Sequence, residues 1–506
     1  KMKILTAAQI HQADNFTIEK EGIDSDILME RAAHGIFDWI NQRLKGAPNI
    51  FRIFCGVGNN GGDGIALARM LHEADFNVAV YVVNFSENRS DDFLKNMARL
   101  KERKLWPEFL NATTVHPEIE PDDIIIDAIF GIGYTRPMDD WVQQLVQSLN
   151  ASNAFVLSVD VPSGMPQDWA PAKDAVVHAN HVLTLQTPKL SFFLPQTGIF
   201  LEGWQVLDIQ LDAEFMAKVD TSFVYVTQEV VLPLLKFRKR FSHKGTYGHA
   251  IIIGGSKGKM GAVQLASKAC LRAGSGLVSA YVPELGYVPL EIGLPEVMVL
   301  TDKGKETILD IQLPFVPTVV GLGMGLGTDS ETEKAFGRFL ASIEYPIVLD
   351  ADGINLLAKR KDFLAFIPKD SILTPHPKEL ERLVGPWKDD YDKLEKAQQF
   401  CKDHRCILCL KDAYTIVVDG EKGYINSTGN AGMATAGAGD VLAGILTGLL
   451  AQGYTCLDAA ILGVYLHGNA GSIAASQLGQ HAMIASDITE FLGAAFLALQ
   501  GKESTQ

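Results

Sequence analysis

A glycine-rich stretch near the N-terminus combines a turn that can bind phosphate with additional polar side chains. The stretch "GVGNNGGDG", residues 56–64, follows the apolar run "NIFRIFCG" and opens into the apolar-periodic segment "IALARMLHEA". Glycines let backbone amides approach an anion closely, and the N-terminus of the following helix adds a favourable dipole. Asn59, Asn60 and Asp63 are more polar than a plain dinucleotide turn requires. The pattern therefore predicts a nucleotide-phosphate site that carries ligands for something further.

The end of the next predicted strand argues against a resident dinucleotide cofactor. That strand, "NVAVYVVNF", ends in Asn84 and Phe85. A cofactor-binding fold of this kind places an acidic residue there, because the carboxylate binds the ribose hydroxyls. The missing carboxylate disfavours a Rossmann oxidoreductase.

Two carboxylates follow other predicted strands of the same half. Asp127 ends "DDIIID", and Asp160 ends "VLSVD", just before a turn that contains Ser163. Ligands of a doubly wound sheet lie outside the carboxyl ends of its strands, so these residues are expected to converge on the glycine-rich loop. Oxygen groups such as those of Asn60, Asp127 and Ser163 suit a hard cation rather than zinc. The alternative is that Asp127 and Asp160 are merely helix N-caps.

A second glycine- and alanine-rich stretch lies far along the chain. In "TAGAGDVLAG", residues 435–444, small residues precede Asp440 and an apolar helix. The amides of Ala438, Gly439 and Asp440 at a helix N-terminus would form an anion hole for a phosphoryl oxygen, with the Asp440 carboxylate placed as a general base. The alternative is a tightly packed helix of small residues without chemistry.

Alternating strands and helices must position these groups. Short apolar runs recur between helix-like segments in both halves, which indicates α/β domains built on parallel sheets covered on both faces. Two helices are predicted before the first strand, the earlier one opening with a capping box of Thr6 and Gln9. The stretch 213–245, with the basic cluster "KFRKR", lacks this alternation. We interpret it as a solvated connector, the alternative being a phosphate-attracting rim, and predict domains at 1–222 and 223–506.

Composition favours small-molecule chemistry. The 506 residues carry a net charge of -15, with a pI near 5.3, and so lack the basic footprint of a nucleic-acid or membrane-binding protein. An apolar run long enough to span a bilayer and an apolar signal core are both missing from the sequence, so we expect a cytoplasmic protein. Cys406 and Cys409 form a C-x-x-C that reads as strand and is expected to pack in the core. We also expect a homo-oligomer.

The motifs of the first half together resemble the NAD(P)HX epimerases, the YjeF N-terminal family. The matching stretches are "GNNGGDG" at 58–64, "DAIFGIG" at 127–133, "VDVPSG" at 159–164 and "LTLQTPK" at 183–189. That family interconverts the R and S forms of hydrated nicotinamide dinucleotides at nicotinamide C6, on a Rossmann-like domain.

The resemblance implies roles for particular residues of the first half. Substrate contacts would come from Asn59, Asn60, Gly61, Gly62, Asp63, Gly131, Ile132, Gly133, Tyr134, Thr135, Arg136 and Pro137. Asp160 would reach the reacting ring, and Asn60, Asp127 and Ser163 would hold a potassium ion. A buried carboxylate can be tuned for proton transfer, so Asp160 is expected to act as acid and base, with Lys189 as its electrostatic partner.

The "GAGD" element resembles the ribokinase-like superfamily, but its neighbours point further. "KGTYGHAIIIGGSKGKMGA" from Lys244, "VGLGMG" from Val320, "LDADGINLLA" from Leu349, "LTPHPKE" from Leu373 and "NAGMATAGAGD" from Asn430 together resemble the ADP- or ATP-dependent NAD(P)HX dehydratases, the YjeF C-terminal family. In that family a phosphoryl group makes the C6 hydroxyl a good leaving group.

The second resemblance likewise implies roles. Asp440 would be the base for the substrate hydroxyl, and the substrate would also be contacted by Ala250, Gly323, Gly325 and His376. The adenine nucleotide would be contacted by Lys411, Asp412, Ala413, Tyr414, Thr415 and Gly439. Asn355 and Glu379 would belong to the shell of a magnesium ion. His376 lies between two prolines, and its rigid turn favours a ligand role over core packing.

Three hypotheses follow for the whole chain. The first is a two-site repair enzyme whose N-terminal domain equilibrates the epimers and whose C-terminal domain dehydrates the S form with ADP or ATP. The second is a small-molecule kinase fused to a nucleotide-sensing domain. The third is the disfavoured oxidoreductase.

Overall fold

The computed structural model describes residues 2–167 and 174–501. These form two compact units. One contains Lys3–Thr221 together with Asp389–Tyr391, and the other contains Met2, Ser222–Lys388 and the chain from Asp392 onward. The domain ranges 1–222 and 223–506 stay a prediction, because this division is not a single cut of the chain.

The smaller unit is built on a parallel sheet. The chain begins with β1 (Met2–Ile4), α1 (Ala7–Glu21) and α2 (Ser25–Leu44). The sheet strands are β2 (Ile50–Cys55), β3 (Asn77–Val83), β4 (Glu108–Leu110), β5 (Ile124–Ala128), β6 (Phe155–Val159), β7 (His181–Leu185) and β8 (Trp204–Leu207). Its helices are α3 (Asn59–Glu73), α4 (Asp91–Glu102), α5 (Asp140–Ala151) and α6 (Ala213–Lys218), with 3-10 turns at Leu190–Phe193 and Gly198–Phe200.

The strand order of this sheet creates a crevice at its centre. Over the described residues the order is β4-β3-β2-β5-β6-β7-β8, with every neighbouring pair parallel. The direction of strand addition reverses between β2 and β5, and at such a switch point the loops after the two strands diverge to opposite faces. The glycine-rich loop follows β2 and "AIFGIG" follows β5, so both border one crevice.

The larger unit repeats this principle on a wider sheet. Its strands are β9 (Phe223–Val226), β10 (His249–Ile253), β11 (Leu277–Val282), β12 (Met298–Thr301), β13 (Val319–Leu322), β14 (Ile347–Leu349), β15 (Ile372–Leu373), β16 (Ile407–Leu410), β17 (Ile416–Val418) and β18 (Gly423–Asn426). The sheet order is β1-β9-β18-β17-β16-β15-β14-β13-β10-β11-β12. The strands from β12 to β16 are parallel, whereas β17 is antiparallel to both of its neighbours. A switch point lies between β10 and β13.

Helices cover the larger sheet. They are α7 (Gln228–Val231), α8 (Met260–Arg272), α9 (Tyr287–Gly293), α10 (Ser330–Ala341), α11 (Asp352–Lys359), α12 (Pro377–Val384), α13 (Asp390–His404), α14 (Ala438–Ala451), α15 (Cys456–Leu478), α16 (Ala485–Glu490) and α17 (Leu492–Leu499). Short 3-10 turns cover Leu232–Leu234, Lys244–Tyr247, Glu284–Gly286, Lys361–Phe366 and Ala431–Met433. The apolar helix α14 packs against α8, and Gly444 and Gly448 of α14 face the α8 backbone at distances that leave no room for a side chain.

Several elements differ from the sequence expectation. The prediction of a solvated connector at 213–245 is wrong in part, because the segment contains β9, whose Val224 and Val226 are buried in the larger sheet. The basic cluster of the segment, Lys236–Arg240, is exposed as predicted. A strand, β1, precedes the two predicted helices, and the predicted capping box of Thr6 and Gln9 is confirmed at the start of α1. The strands β4, β8 and β12 escape the pattern because three- and four-residue edge strands carry little periodicity.

Candidate active sites

The glycines of the first loop serve two different purposes. Residues 56 and 61 are spaced so that the turn can pack: a Cβ at Gly61 would overlap the Gly56 carbonyl, and one at Gly56 would overlap the Ile129 carbonyl of the neighbouring loop. Gly58, which caps α3, has open space around it. The tight packing holds the N-terminus of α3 against the loop after β5, so the amides of that helix end face the crevice.

A cavity of about 680 Å³ opens at this crevice, entirely within the smaller unit. The predicted residues that line it are Asn59, Asn60, Asp63, Gly131, Ile132, Gly133, Tyr134, Thr135, Arg136, Pro137, Asp160 and Lys189. Gly61 and Gly62 do not line it: both are buried, and a Cβ at Gly62 would meet the Met29 side chain. A volume of this size is typical of small-molecule and cofactor sites.

Asp160 and Lys189 form a buried ion pair on the wall of the cavity. Asp160 turns the chain at the end of β6 with a φ of 64°, a left-handed conformation that aspartate tolerates better than most residues. Its Oδ1 accepts hydrogen bonds from Lys189 Nζ at 2.8 Å, from the Leu185 amide at 2.9 Å and from Thr184 Oγ1 at 3.2 Å. The described residues donate no hydrogen bond to Asp160 Oδ2. One carboxylate oxygen therefore holds the group in place, and the other is left to act.

Lys189 is held in turn by main-chain oxygens. Its ammonium donates to the carbonyls of Thr187 at 2.9 Å and Leu185 at 3.1 Å, and to Thr184 Oγ1 at 2.9 Å. The side chain is almost completely buried. Because all of its donors are used, Lys189 fixes the charge and position of Asp160 and has no proton donor left to point at a substrate.

Asp127 and Ser163 meet beneath the cavity wall. Ser163 Oγ lies 2.5 Å from Asp127 Oδ1, the Ser163 amide lies 2.9 Å from Oδ2, and Ser158 Oγ donates to Oδ2 at 2.7 Å. Burial raises the pKa of Asp127, against the hydrogen bonds from Ser163. Asp127 caps no helix, so the N-cap alternative for it is wrong; its carboxylate ties the loop after β6 to β5.

The residues of this region fit a hard monovalent cation. The Asn60 side chain lies against Gly131, and its buried Nδ2 has no hydrogen-bond partner among the described residues, so this polar group has capacity left for a ligand. The carbonyl of Phe130 lies 3.3 Å from Ser163 Oγ. Amide, hydroxyl, carbonyl and carboxylate oxygens are the donors that hard cations prefer.

Sequence reasoning missed two carboxylates that line the cavity, those of Asp14 on α1 and of Asp139 just before α5. Asp14 lines the cavity and is half-buried. Burial, and then the charge of Asp160, raise its pKa to about 6. Burial likewise raises the pKa of Asp63 well above its ordinary value, with Asp160 and Asp14 adding to the effect. The signal was present in the pattern: Asp14 follows Ile10 by four residues and precedes Ile18 by four, so a charge sits on the apolar stripe of the helix.

In the larger unit, the loops at the switch point are also fixed by glycines. Gly323 follows β13 with a φ of 124°, and a Cβ there would lie 2.7 Å from the Gly353 amide nitrogen. Gly325 has a φ of 62°, and a Cβ there would lie 3.2 Å from that of Ala262 on α8. Both glycines therefore belong to the crevice formed by the loops after β10 and β13.

Asp440 lies in the first turn of α14, where the sequence predicts the anion hole. The helix begins at Ala438 after Gly437, which has a φ of 89°. Burial raises the pKa of Asp440 to about 7, the charge of Asp350 adds to this, and Lys411 opposes it. The Ala438 amide donates to the Thr435 carbonyl at 3.3 Å, so of the three predicted anion-hole amides those of Gly439 and Asp440 remain. A carboxylate with that pKa at a helix N-terminus is suited to accept a proton near neutral pH.

Lys411, Asp350 and Thr374 form a polar cluster facing that helix end. Lys411 Nζ lies 2.9 Å from Asp350 Oδ1, which also accepts from Thr374 Oγ1 at 2.7 Å. A Cβ at Gly439 would lie 3.2 Å from Lys411 Nζ and 3.7 Å from Asp350 Oδ2. Burial opposes the ammonium charge, but Asp350 and Glu379 raise the pKa of Lys411 overall. Sequence reasoning missed Asp350, although it ends β14 as Asp127 ends its own strand.

The other predicted residues of this unit divide into two groups. Residues 412–415 continue from Lys411 along the hairpin between β16 and β17. Ala250 is not brought to the site: it lies inside β10, paired with Val278 and Val319, and is fully buried in the hydrophobic core. A ligand contact by the Ala250 side chain is therefore wrong, because a central strand buries both of its faces.

His376 has a structural task that the sequence did not predict. It caps α12: His376 Nδ1 accepts from the amides of Lys378 at 3.1 Å and Glu379 at 3.4 Å, and Glu379 Oε2 accepts from the His376 amide at 2.9 Å. Asn355 of α11, which with Glu379 is a candidate for the magnesium shell, accepts a hydrogen bond from Arg382 of α12 at 2.8 Å. Burial, then Lys411 and Arg382, lower the pKa of His376, so its imidazole is neutral near pH 7.

Comparisons with known proteins match both halves of the chain. The family profile described as YjeF-related protein N-terminus matches residues 25–191, and that described as NAD(P)H-hydrate dehydratase matches residues 250–493. The bifunctional NAD(P)H-hydrate repair enzyme Nnr of Moorella thermoacetica is 35% identical, over 97% of this chain and 96% of its own. The Nnr of Escherichia coli is 31% identical over 95% of this chain and 92% of its own.

A solved structure resembles the second half. The ADP/ATP-dependent NAD(P)H-hydrate dehydratase from Bacillus subtilis, co-crystallised with ATP and Mg²⁺, is 28% identical, with a TM-score of 0.48, over 54% of this chain and 97% of that one. Within the described residues, no helix is both long and apolar enough to cross a membrane.

The two profiles and the two sheets confirm the predicted class, a Rossmann-like α/β domain followed by a ribokinase-like α/β domain. The relatives match almost end to end, so the likeness covers both domains in the same order. The chain belongs to the family of bifunctional NAD(P)H-hydrate repair enzymes.

Proposed function

We propose that this chain repairs hydrated nicotinamide dinucleotides in two steps. The first domain interconverts the R and S forms of hydrated NADH and NADPH at nicotinamide C6, and the second dehydrates the S form at the expense of ADP or ATP. The observation that carries the proposal is the presence, in one chain of this family, of two separate switch-point sites, each with a carboxylate beside a glycine-bounded helix N-terminus.

In the first site, the amides at the start of α3 and the loop 131–137 bind the substrate phosphates and ribose. Asp160 exchanges a proton with the reacting group through its free Oδ2, and Lys189 holds that carboxylate in place. Asn60, Asp127 and Ser163 would hold a potassium ion, whose positive charge would offset that of the buried Asp127 carboxylate beside the phosphate-binding loops.

In the second site, Asp440 accepts the proton of the substrate C6 hydroxyl. The amides at the N-terminus of α14, including that of Gly439, stabilise the transferred phosphoryl group, and Lys411 contributes its charge from the opposite side. The hairpin residues 412–415 contact the adenine nucleotide. Gly323, Gly325 and the exposed edge of His376 contact the hydrated dinucleotide, and magnesium bound to the nucleotide is reached by Asn355 and Glu379. Phosphate is then a good leaving group, and elimination restores the dihydronicotinamide.

We expect the enzyme to act in the cytoplasm, which the six unpaired cysteines support, and its oligomeric state stays a prediction of a homo-oligomer. A small-molecule kinase is disfavoured because the family profile of the dehydratases covers its second half.

The test uses hydrated NADH as a mixture of epimers. The protein is incubated with it, with and without ADP or ATP and magnesium, and the dihydronicotinamide absorbance is followed. We expect nucleotide-dependent recovery of the whole mixture. No recovery of NADH would reject the dehydratase activity. Rapid recovery of the S fraction alone, with the R fraction following only at the rate of spontaneous epimerisation, would reject the epimerase activity. The Asp160→Ala variant should show this S-only recovery, whereas the unmodified protein should recover the whole mixture.

A further inference from the structure

The cavity of the first domain contains more acid–base groups than the assigned roles use. Besides Asp160, the carboxylates of Asp14, Asp63 and Asp139 line it. Asp63 is a buried residue of α3, Asp139 is exposed just before α5, and Asp14 belongs to the separate helix α1. Asp14 forms no hydrogen bond or ion pair with a described residue, so its carboxyl group is available to a ligand.

Epimerisation at one carbon poses a geometric requirement. The C6 hydroxyl must leave one face of the nicotinamide ring, and a hydroxyl must arrive on the other. A single carboxylate positioned on one face serves one of these events well. Two groups from different walls of a cavity can serve both, provided that one holds a proton while the other is ionised.

Asp14 and Asp160 have different surroundings, as two groups with different proton-transfer roles require. Asp160 is ion-paired with Lys189, and the same carboxylate oxygen accepts two further hydrogen bonds. Asp14 lacks such partners, and its pKa is raised by burial and by the charge of Asp160, with Lys189 opposing. The other titratable side chains that line the cavity are Asp63 from α3, His11 from α1, and Tyr134, Arg136 and Asp139 from the segment between β5 and α5.

We propose that Asp14 is a second catalytic acid–base of the epimerase site, acting on the face of the nicotinamide ring opposite to Asp160. The proposal rests on the epimerase function proposed above and names a residue for it. Asp14 belongs to α1 and Asp160 follows β6, so the two carboxylates reach the cavity from different elements.

The step balances without an external oxidant or reductant. The Asp14 carboxyl gives its proton to the C6 hydroxyl, the C6–O bond breaks, water leaves, and the lone pair of the ring nitrogen forms a double bond to C6. Solvent water adds to C6 from the other face, the double-bond pair returns to the nitrogen, and the released proton goes to Asp160. The opposite epimer is converted by the same events in reverse, and solvent returns the proton between turnovers.

The experiment compares Asp14→Asn with Glu19→Gln, the same carboxylate-to-amide change on an exposed position of α1 outside the cavity. Pure R epimer is supplied, and formation of the S epimer is measured by chromatography from pH 5 to 8. We expect Asp14→Asn to slow epimerisation about a hundredfold or more, in line with the loss of a general acid–base, and Glu19→Gln to change nothing. In the unmodified enzyme kcat/KM should fall tenfold per pH unit above about pH 6, because the pair must hold one proton. That limb should disappear in Asp14→Asn.

Dehydration of pure S epimer by the same preparations serves as the internal reference and should be equal in all of them. If the unmodified enzyme does not epimerise, the proposed function fails. If it does, and Asp14→Asn epimerises at the same rate with the same pH profile, only the role of Asp14 is overturned. Asp14→Glu, which keeps the carboxyl group, should retain the alkaline limb; a profile like that of Asp14→Asn would also overturn the role. If Asp14→Asn fails to fold, the pH profile of the unmodified enzyme still tests the proposal: a kcat/KM that does not decrease above about pH 6 would overturn the role of Asp14.

Discussion

Lys189 Nζ lies 2.8 Å from Asp160 Oδ1, and both side chains are buried in the wall of the cavity of the smaller unit. The ion pair is surrounded by Thr184 and by main-chain carbonyls, so neither charge is left to water. Such an arrangement stabilises an ionised carboxylate at the end of a strand while leaving its second oxygen accessible.

Removal of the lysine should therefore affect stability and chemistry together. Lys189→Met leaves the Asp160 charge buried and unpaired, which costs about 3–5 kcal/mol for a buried pair. Epimerisation should fall at least tenfold, since Asp160 loses the ammonium group that holds its carboxylate in place. Urea unfolding and the R-to-S assay measure the two effects. Lys218→Met is the control: it breaks the solvent-exposed pair with Glu214 and should leave the free energy of unfolding almost unchanged. Equal losses in the two variants would contradict the buried-pair interpretation.

Dehydration should depend on the ionisation of Asp440. Because the base must be a carboxylate and its pKa is raised to about 7, kcat/KM for the S epimer should fall tenfold per pH unit below about pH 7. Steady-state rates from pH 5.5 to 9 at saturating nucleotide measure this. Asp440→Asn should abolish dehydration and leave R-to-S epimerisation unchanged. A profile without an acid limb would contradict the role of Asp440.

The same pKa has a consequence for stability with a definite sign. The folded pKa of Asp440 lies above the unfolded value of 3.8, so the folded chain binds more protons between those values and loses stability as the pH rises through them. Asp440→Asn should therefore unfold at a higher temperature than the unmodified protein at pH 7.5, with the difference vanishing near pH 4. Scanning calorimetry at the two pH values tests this, and a lower unfolding temperature of the variant at pH 7.5 would contradict it.

The anion hole at α14 should not tolerate a side chain at Gly439. A Cβ there would lie 3.2 Å from Lys411 Nζ, in the space proposed for the phosphoryl group. Gly439→Ala should lower kcat for dehydration about tenfold or more and raise the KM for ADP or ATP. The matched change Gly493→Ala lies on an exposed face of α17 with nothing within 4 Å, and should leave both constants unchanged. Unaltered kinetics in Gly439→Ala would place the phosphate elsewhere.

Potassium should support the first reaction through Asn60. Epimerisation should rise several-fold when potassium chloride replaces tetramethylammonium chloride at constant ionic strength, because the cation offsets the buried Asp127 charge. Asn60→Ala should remove this dependence with little loss of stability, since the Asn60 Nδ2 has no partner to lose. The epimer ratio followed over time measures the effect. Identical rates in the two salts would reject the cation site.

The sequence by itself determined the elements and the chemistry at their ends. Alternating apolar runs and helices specify two doubly wound domains. Residues such as Asp127, Asp160 and Asp440 can be identified as site candidates from the sequence, because the carboxyl ends of parallel strands and helix N-termini converge at one edge of a sheet. The signals for these features lie within a few neighbouring residues, so they do not require knowledge of what packs against what.

Only the tertiary structure decided which residues share an environment. Asp14 comes from a helix far from the loops it faces, Asp350 meets Lys411 across 61 residues, and Ala250 is withdrawn into the sheet. The raised pKa values of Asp14 and Asp440 arise from burial and from charges on other elements. Desolvation and Coulomb interactions depend on distances through space, and no spacing along the chain fixes those distances.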